Sequence, residues 1–133
     1  VVVTGMVSRL EALAYLPLTD IFAIPSLHDG CPNAMLEAML ASRAIVGSSA
    51  DAIGEILVDG ENGWVVAPAS TSELAEALRL AIARPDLRSQ VGRAARQTVL
   101  TKLSPAVERQ NWQRVYERVL GKTSVPTLVS AAA

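Results

Sequence analysis

The sequence predicts a doubly wound α/β domain: a parallel sheet with helices on both faces, followed by a stretch built of helices alone. Three observations predict it. Short apolar runs at 1–7, 21–24, 44–49 and 64–68 alternate with segments of helical pattern, the order that gives parallel strands joined by right-handed crossovers. The run "IFAI" is continuously apolar, as expected of a strand covered on both faces. Beyond Pro68 the strand pattern does not return.

Taken in order, residues 1–7 ("VVVTGMV") form a β-branched run of strand length, and Ser8 can cap a helix over "RLEALAYLPL" with Leu10, Leu13 and Ala14 on one face. Pro17 should end that helix, because the residue before a proline avoids the helical region. After the strand at 21–24, the bend "HDGCP" leads to Asn33, a good N-cap, and to a run of strong helix formers from Ala34 to Leu40. "AIVGSS" reads as the third strand, 52–57 as a short helix, and "DGENG" as a turn into the fourth strand, "WVVAP". Ser72, with Glu73 and Glu76, opens a helix to about Ala83, since acids favour the positive end of a helix. "RPDLRSQVGRAARQTVL" and "SPAVERQNWQRVYERVL" read as two more helices. The second is expected to bury Val107, Trp112 and Val115 or Tyr116. Residues 121–133 read as a flexible tail.

Composition bounds the function. A chain of 133 residues is of one-domain size and can bury a real core. Half of its residues are apolar and 19% charged, which argues against disorder and suggests apolar surface that meets a partner. Twelve Lys and Arg stand against thirteen Asp and Glu, so nothing general attracts nucleic acid or anionic lipid. One Cys and one His cannot make a disulfide framework or a Cys/His metal site, and the expectation is a cytoplasmic protein. No apolar run approaches the ~20 residues of a membrane span, and the first residues lack the basic region and cleavage pattern of a signal peptide. A core-like start without an initiator Met suggests numbering that begins inside a larger protein.

In doubly wound sheets ligands sit beyond the carboxyl ends of the strands, and "HDGCPNAMLEAM" (28–39) lies at such an end. The amides of the helix's first turn, residues 33–36, with the helix dipole, suit a diphosphate without a metal. Gly30 lets backbone approach a ligand, and Pro32 stiffens the approach to the helix. Glu37, one turn in, could accept hydrogen bonds from a ribose diol, and Asp29 lies on the other side of the anion site. A nucleoside diphosphate sugar fits that order of groups. Spacing alone nevertheless favours a plainer account, with Asp29 a turn former and Glu37 a surface residue, because two acids eight positions apart recur by chance. His28 reads as a solvated loop histidine or a hydrogen-bond donor to a leaving group. Cys31 reads as a small packing residue with no base to activate it.

The ordered segments "DIFAIPSLHDGCPNAMLEAM", "AIVGSSADAIGEILVDGENGWVVAP", "ELAEAL" and "GRAAR" resemble the C-terminal, donor-binding domain of retaining GT-B glycosyltransferases of family 4. The resemblance runs to about Leu120. It implies a Rossmann-like, N-terminally incomplete C-terminal half of a GT-B fold over 1–120, and transfer of a sugar from a nucleotide-sugar to a glycan, lipid or other acceptor. It also implies site residues. Asp29 and Glu37 occupy the places of the family's paired acids, Asp29 on the donor-sugar hydroxyls and Glu37 on the ribose. Gly30, Cys31, Pro32, Asn33, Ala34, Met35 and Leu36 would present backbone to sugar and diphosphate. Glu55 matches the family's "PEI" as "GEI", with a loop-shaping role. Neither metal nor cofactor is expected beyond the donor substrate.

Departures accompany the match. Asp29 is one methylene shorter than the usual Glu, about 1.5 Å of reach. The usual paired glycines read Asp51-Ala52, and a glycine and proline nearby read Ser42 and Ala44. Ala52 does not take positive φ as cheaply as glycine. These changes fit a divergent or weakened enzyme. The family's phosphate-clamping Arg and Lys, its acceptor site and a catalytic group lie upstream of Val1, so the piece alone is expected to be inactive. Its expected partners are the nucleotide-sugar, a separate N-terminal acceptor domain that could bring it to a membrane surface, and further copies of itself through an exposed apolar face of the last helix. A sugar-nucleotide epimerase of the same architecture and a non-catalytic binding module are the rival readings.

Overall fold

The structure, a computed structural model, describes residues 1–121. All but the first residue of the expected tail lies outside the described residues. The chain forms two compact units, Val1–Leu100 and a second beginning at Thr101.

The first unit is built on a parallel sheet of three strands, β1 (Ile21–Ile24), β2 (Ala44–Ser48) and β3 (Trp64–Val66), in the order β1-β2-β3. Ile21 pairs with Ala44 and Val46 with Trp64. Helices α1 (Arg9–Tyr15), α2 (Asn33–Leu40), α3 (Asp51–Ile56), α4 (Thr71–Ala83) and α5 (Pro85–Lys102) surround and connect the strands. The predicted strand at residues 1–7 is not formed. Val1, Val2, Val3 and Met6 are exposed, because a β-branched run becomes a strand only against a hydrogen-bonding neighbour and no described strand lies beside it.

β2 is buried along its whole length, and its side chains alternate between two cores. Ile45 joins Met35, Ala38 and Met39 of α2, Ile53 and Leu57 around α3, and Ala95 and Val99 of α5. Ala44 and Val46 join Trp64 and Val66 of β3, Ala81 of α4 and Val91 of α5 on the other side. Helices thus cover both faces, as the alternating pattern requires. β1 is less complete than its sequence suggests, since Ala23 is exposed at the sheet edge.

Helix ends follow local chemistry with small shifts from expectation. Ser8 and Glu11 form a reciprocal capping box on α1; the Ser8 hydroxyl, and then its amide, donate to Glu11 and lower its carboxyl below the ordinary value. Of the apolar face expected on α1, only Leu13 packs on the core, while Leu10 and Ala14 are exposed. Pro17 lies in the 3₁₀ turn Leu16–Leu18 that follows the helix. Ser70, not Ser72, caps α4 by accepting from the Glu73 amide.

Ser42 and Gly92 hold α5 against the turn between α2 and β2. Ser42 has φ 59°, the left-handed region, where the family resemblance expects glycine. A Cβ at Gly92 would stand 2.3 Å from the Ser42 carbonyl oxygen, so only glycine lets the helix come this close. Buried Asn62 closes the turn before β3: its Oδ1 accepts from the Val58 amide, and its Nδ2 donates to Ile56 O and Thr98 Oγ1.

In the second unit, α6 (Pro105–Leu120) is capped by Ser104 and ended by Gly121 at φ 61°. No residue of α6 is buried, contrary to the burial expected for Val107, Trp112 and Val115 or Tyr116. Trp112 and Tyr116, one turn apart, pair their rings at 6.1 Å on the exposed face. Amphipathic spacing says that such a helix has an apolar face, not that a neighbour covers it.

In urea denaturation, Gly92→Ala should cost about 1–3 kcal/mol by overpacking a backbone contact. Ser42→Gly should gain up to about 1 kcal/mol by relieving left-handed strain, partly offset by the more flexible unfolded chain. A destabilising Ser42→Gly would show that the turn carries no strain.

Candidate functional site

The carboxyl ends of β1 and β2 lie side by side, and the segments that leave them build the site. After Ile24 the chain runs through residues 25–32 into α2, whose N-cap is Pro32 rather than Asn33. Pro32 has no side-chain cap to offer. Its carbonyl accepts from the amides of Met35 and Leu36 at 2.9 and 3.3 Å, so two of the four amides expected to face a ligand are already used. The amides of Gly30, Cys31, Asn33 and Ala34 have no partner among the described residues. They leave a shorter donor array than the sequence suggests, still at the positive end of a helix.

Helical spacing divides α2 into two faces. Met35, Ala38 and Met39 point into the core. Asn33, Leu36, Glu37 and Leu40 line an open groove with Arg9 of α1. Arg9 Nη2 donates to Glu37 Oε1 at 2.7 Å, with Arg9 80% and Glu37 26% exposed. An ion pair this wet is worth about 0–1 kcal/mol. Its interest is positional: a guanidinium holds one oxygen of the carboxylate expected to meet a ribose.

Asp29 is not part of that groove. Half-buried at the start of the bend, it donates its amide to Asp51 Oδ2 at 3.0 Å, and His28 Nδ1 stands 3.6 Å from the same oxygen. Cys31 is an exposed free thiol, not the packing residue expected from sequence, while Pro32 is buried. Gly30 takes no positive φ, and a Cβ there would meet nothing within 4 Å. Nothing among the described residues therefore requires glycine at that place. Glu55 is exposed on α3.

Sequence reasoning missed two residues. Arg9 is 28 positions from Glu37 and no motif links them. Ser48, buried at the end of β2, donates its hydroxyl to Ser26 O at 2.6 Å and fixes the root of the bend. Positive φ also falls at Asp51 (41°) rather than at Ala52, where the lost glycine raised concern. No group of three or more His, Cys, Asp or Glu side chains among the described residues is placed to hold a metal ion. No helix among them is long and apolar enough to cross a membrane.

The profile of the family described as "Glycosyl transferases group 1" matches residues 1–84. This chain belongs to that family. A lipopolysaccharide core biosynthesis mannosyltransferase of Rhizobium leguminosarum bv. viciae is 32% identical over 128 residues, which is 91% of this chain and 36% of the relative. An alpha-D-kanosaminyltransferase of Streptomyces kanamyceticus is 24% identical over 90% of this chain and 31% of its own. The chain thus spans about a third of the length of these curated relatives, at the C-terminal part of their chains. Among solved structures, the C-terminal domain of a group 1 family protein from Francisella tularensis superposes with TM-score 0.71 at 29% identity, covering 77% of this chain and 53% of that one. The Anabaena protein Alr3699/HepE, solved with UDP-glucose, gives TM-score 0.71 at 19% identity over 82% of this chain and 30% of that one, a likeness of fold alone. The architecture is that of a GT-B glycosyltransferase C-terminal domain.

For the group 1 domain, the two tethers differ in weight. Ser48→Ala removes a short hydrogen bond from a buried serine and should cost about 1–2 kcal/mol in urea denaturation. Arg9→Ala should cost less than about 1 kcal/mol. The reverse ranking would mean that α1, not β2, holds the site together.

Proposed function

We propose that this chain is the nucleotide-sugar-binding part of a retaining, hexosyl-type glycosyltransferase acting on a glycan, lipid or other acceptor in the cytoplasm. The observation that carries the reading is the unpartnered amides of Asn33 and Ala34 at the positive end of α2, one turn from the Glu37 carboxylate. The amides suit the diphosphate. Glu37 Oε2, left over by the Arg9 contact to Oε1, suits the ribose hydroxyls. Asp29 would meet the sugar from the other side of the bend, with Gly30 and Cys31 offering backbone between them. The open space around Gly30 is then where the donor passes.

In transfer, the sugar becomes oxocarbenium-like as the diphosphate leaves, and charge grows on the leaving oxygen. Amides fixed at the start of α2 would stabilise that oxygen without reorganising. No residue described here is assigned to activate the acceptor. The acceptor site and a cationic phosphate clamp are assigned to the rest of a protein about three times as long as this chain, and the chain alone is expected to be inactive in transfer.

Thermal melting with UDP, GDP and ADP tests the reading. One of them should raise Tm by a few degrees at saturating concentration, since a ligand that binds only the folded state stabilises by RT ln(1 + [L]/Kd). Glu37→Ala should remove most of the shift. No shift with any of the three would favour a non-catalytic module.

A further inference from the structure

Asp51 stands where the backbone would choose glycine, and its side chain is used. Its φ of 41° lies in the left-handed region, which costs a non-glycine residue about 1–2 kcal/mol. Such outliers persist where the surroundings hold them and often mark functional positions. Asp51 begins α3, anchored by buried Ile53 and Leu57, and reaches across to the bend between β1 and α2. Its Oδ2 accepts from the Asp29 amide at 3.0 Å and stands 3.6 Å from His28 Nδ1. The two residues that follow have no partner for their amides among the described residues. Between the Ser48 anchor at Ser26 and the start of α2, this carboxylate is therefore the hydrogen-bonding tether on the bend among the described residues.

We propose that Asp51 is a positioning residue of the donor site, resting on the reading given above: its carboxylate pins the Asp29 amide, so that Asp29 and the free amides of Gly30 and Cys31 face the donor in one arrangement. Without the tether the bend must be ordered by the ligand itself, and affinity falls by that cost. The opposing outcome is electrostatic. A carboxylate close to a diphosphate repels it, in which case removing Asp51 would tighten binding.

The test uses the 133-residue chain with UDP, GDP and ADP, comparing Asp51→Ala, Asp51→Asn and Asp51→Gly. Amide exchange at Asp29 should be several-fold faster in the Ala and Gly variants. The asparagine, whose side-chain oxygen can still accept, should retain most of the protection. Affinity for whichever nucleotide binds the wild type should fall roughly tenfold in the Ala and Gly variants, about the value of one hydrogen bond, and clearly less in Asp51→Asn, whose neutral oxygen still accepts. Asp51→Gly also relaxes the backbone, so its Tm should rise while its affinity falls. A purely structural residue would move both together. Unchanged Asp29 exchange, or unchanged or tighter binding in the Ala and Gly variants, overturns the proposal and leaves the donor reading standing. A wild-type chain that binds none of the three nucleotides overturns the donor reading and, with it, this role for Asp51.

Discussion

Everything at the site depends on how β2 is held. Each of its five residues is buried, and it pairs in parallel with a strand on either side. Large side chains press on it from both faces, and such packing fixes register, because a slip of one residue would turn every side chain to the wrong core. The carboxyl end of the strand then becomes a fixed point. Ser48 reaches one way to Ser26, Ser49 donates its amide to Val66 O on the other side, and Asp51 follows within the next turn. The bend that carries Asp29 is shaped from β2 as much as from its own sequence.

Most of the frame was legible because it depends on period and punctuation. The strands at Ile21, Ala44 and Trp64 and the helices α2, α5 and α6 lie within a few residues of expectation. The misses share a cause. Residues 1–7 have strand composition but no described partner, and α6 has an amphipathic pattern with no buried face. Both judgments concern neighbours, which local pattern does not contain. The caps moved from Asn33 to Pro32 and from Ser72 to Ser70 because a cap is set by dihedral angles, and several adjacent polar residues can serve.

The bend and the helix start that carry the candidate residues were legible in the sequence, and the contacts that set them were not. "HDGCPNAMLEAM" pointed to a helix starting beyond the carboxyl end of a strand, and the structure has one there. The sequence could not show that Pro32 O would take two of the amides, nor that Arg9 would lie on Glu37. Those are long-range or backbone events. The concern over lost glycines was sound in kind and displaced in place: Ser42 and Asp51 bear the positive φ, and Ala52 does not.

The exposed margin of β1 has a consequence for handling the protein. Its outer main-chain groups have no described strand to pair with, and Ala23 adds little bulk to shield them. An open, apolar strand margin is a template for joining chains edge to edge. Concentrated samples should therefore be watched for sheet growth between molecules, a hazard that a charged side chain at residue 23 would reduce.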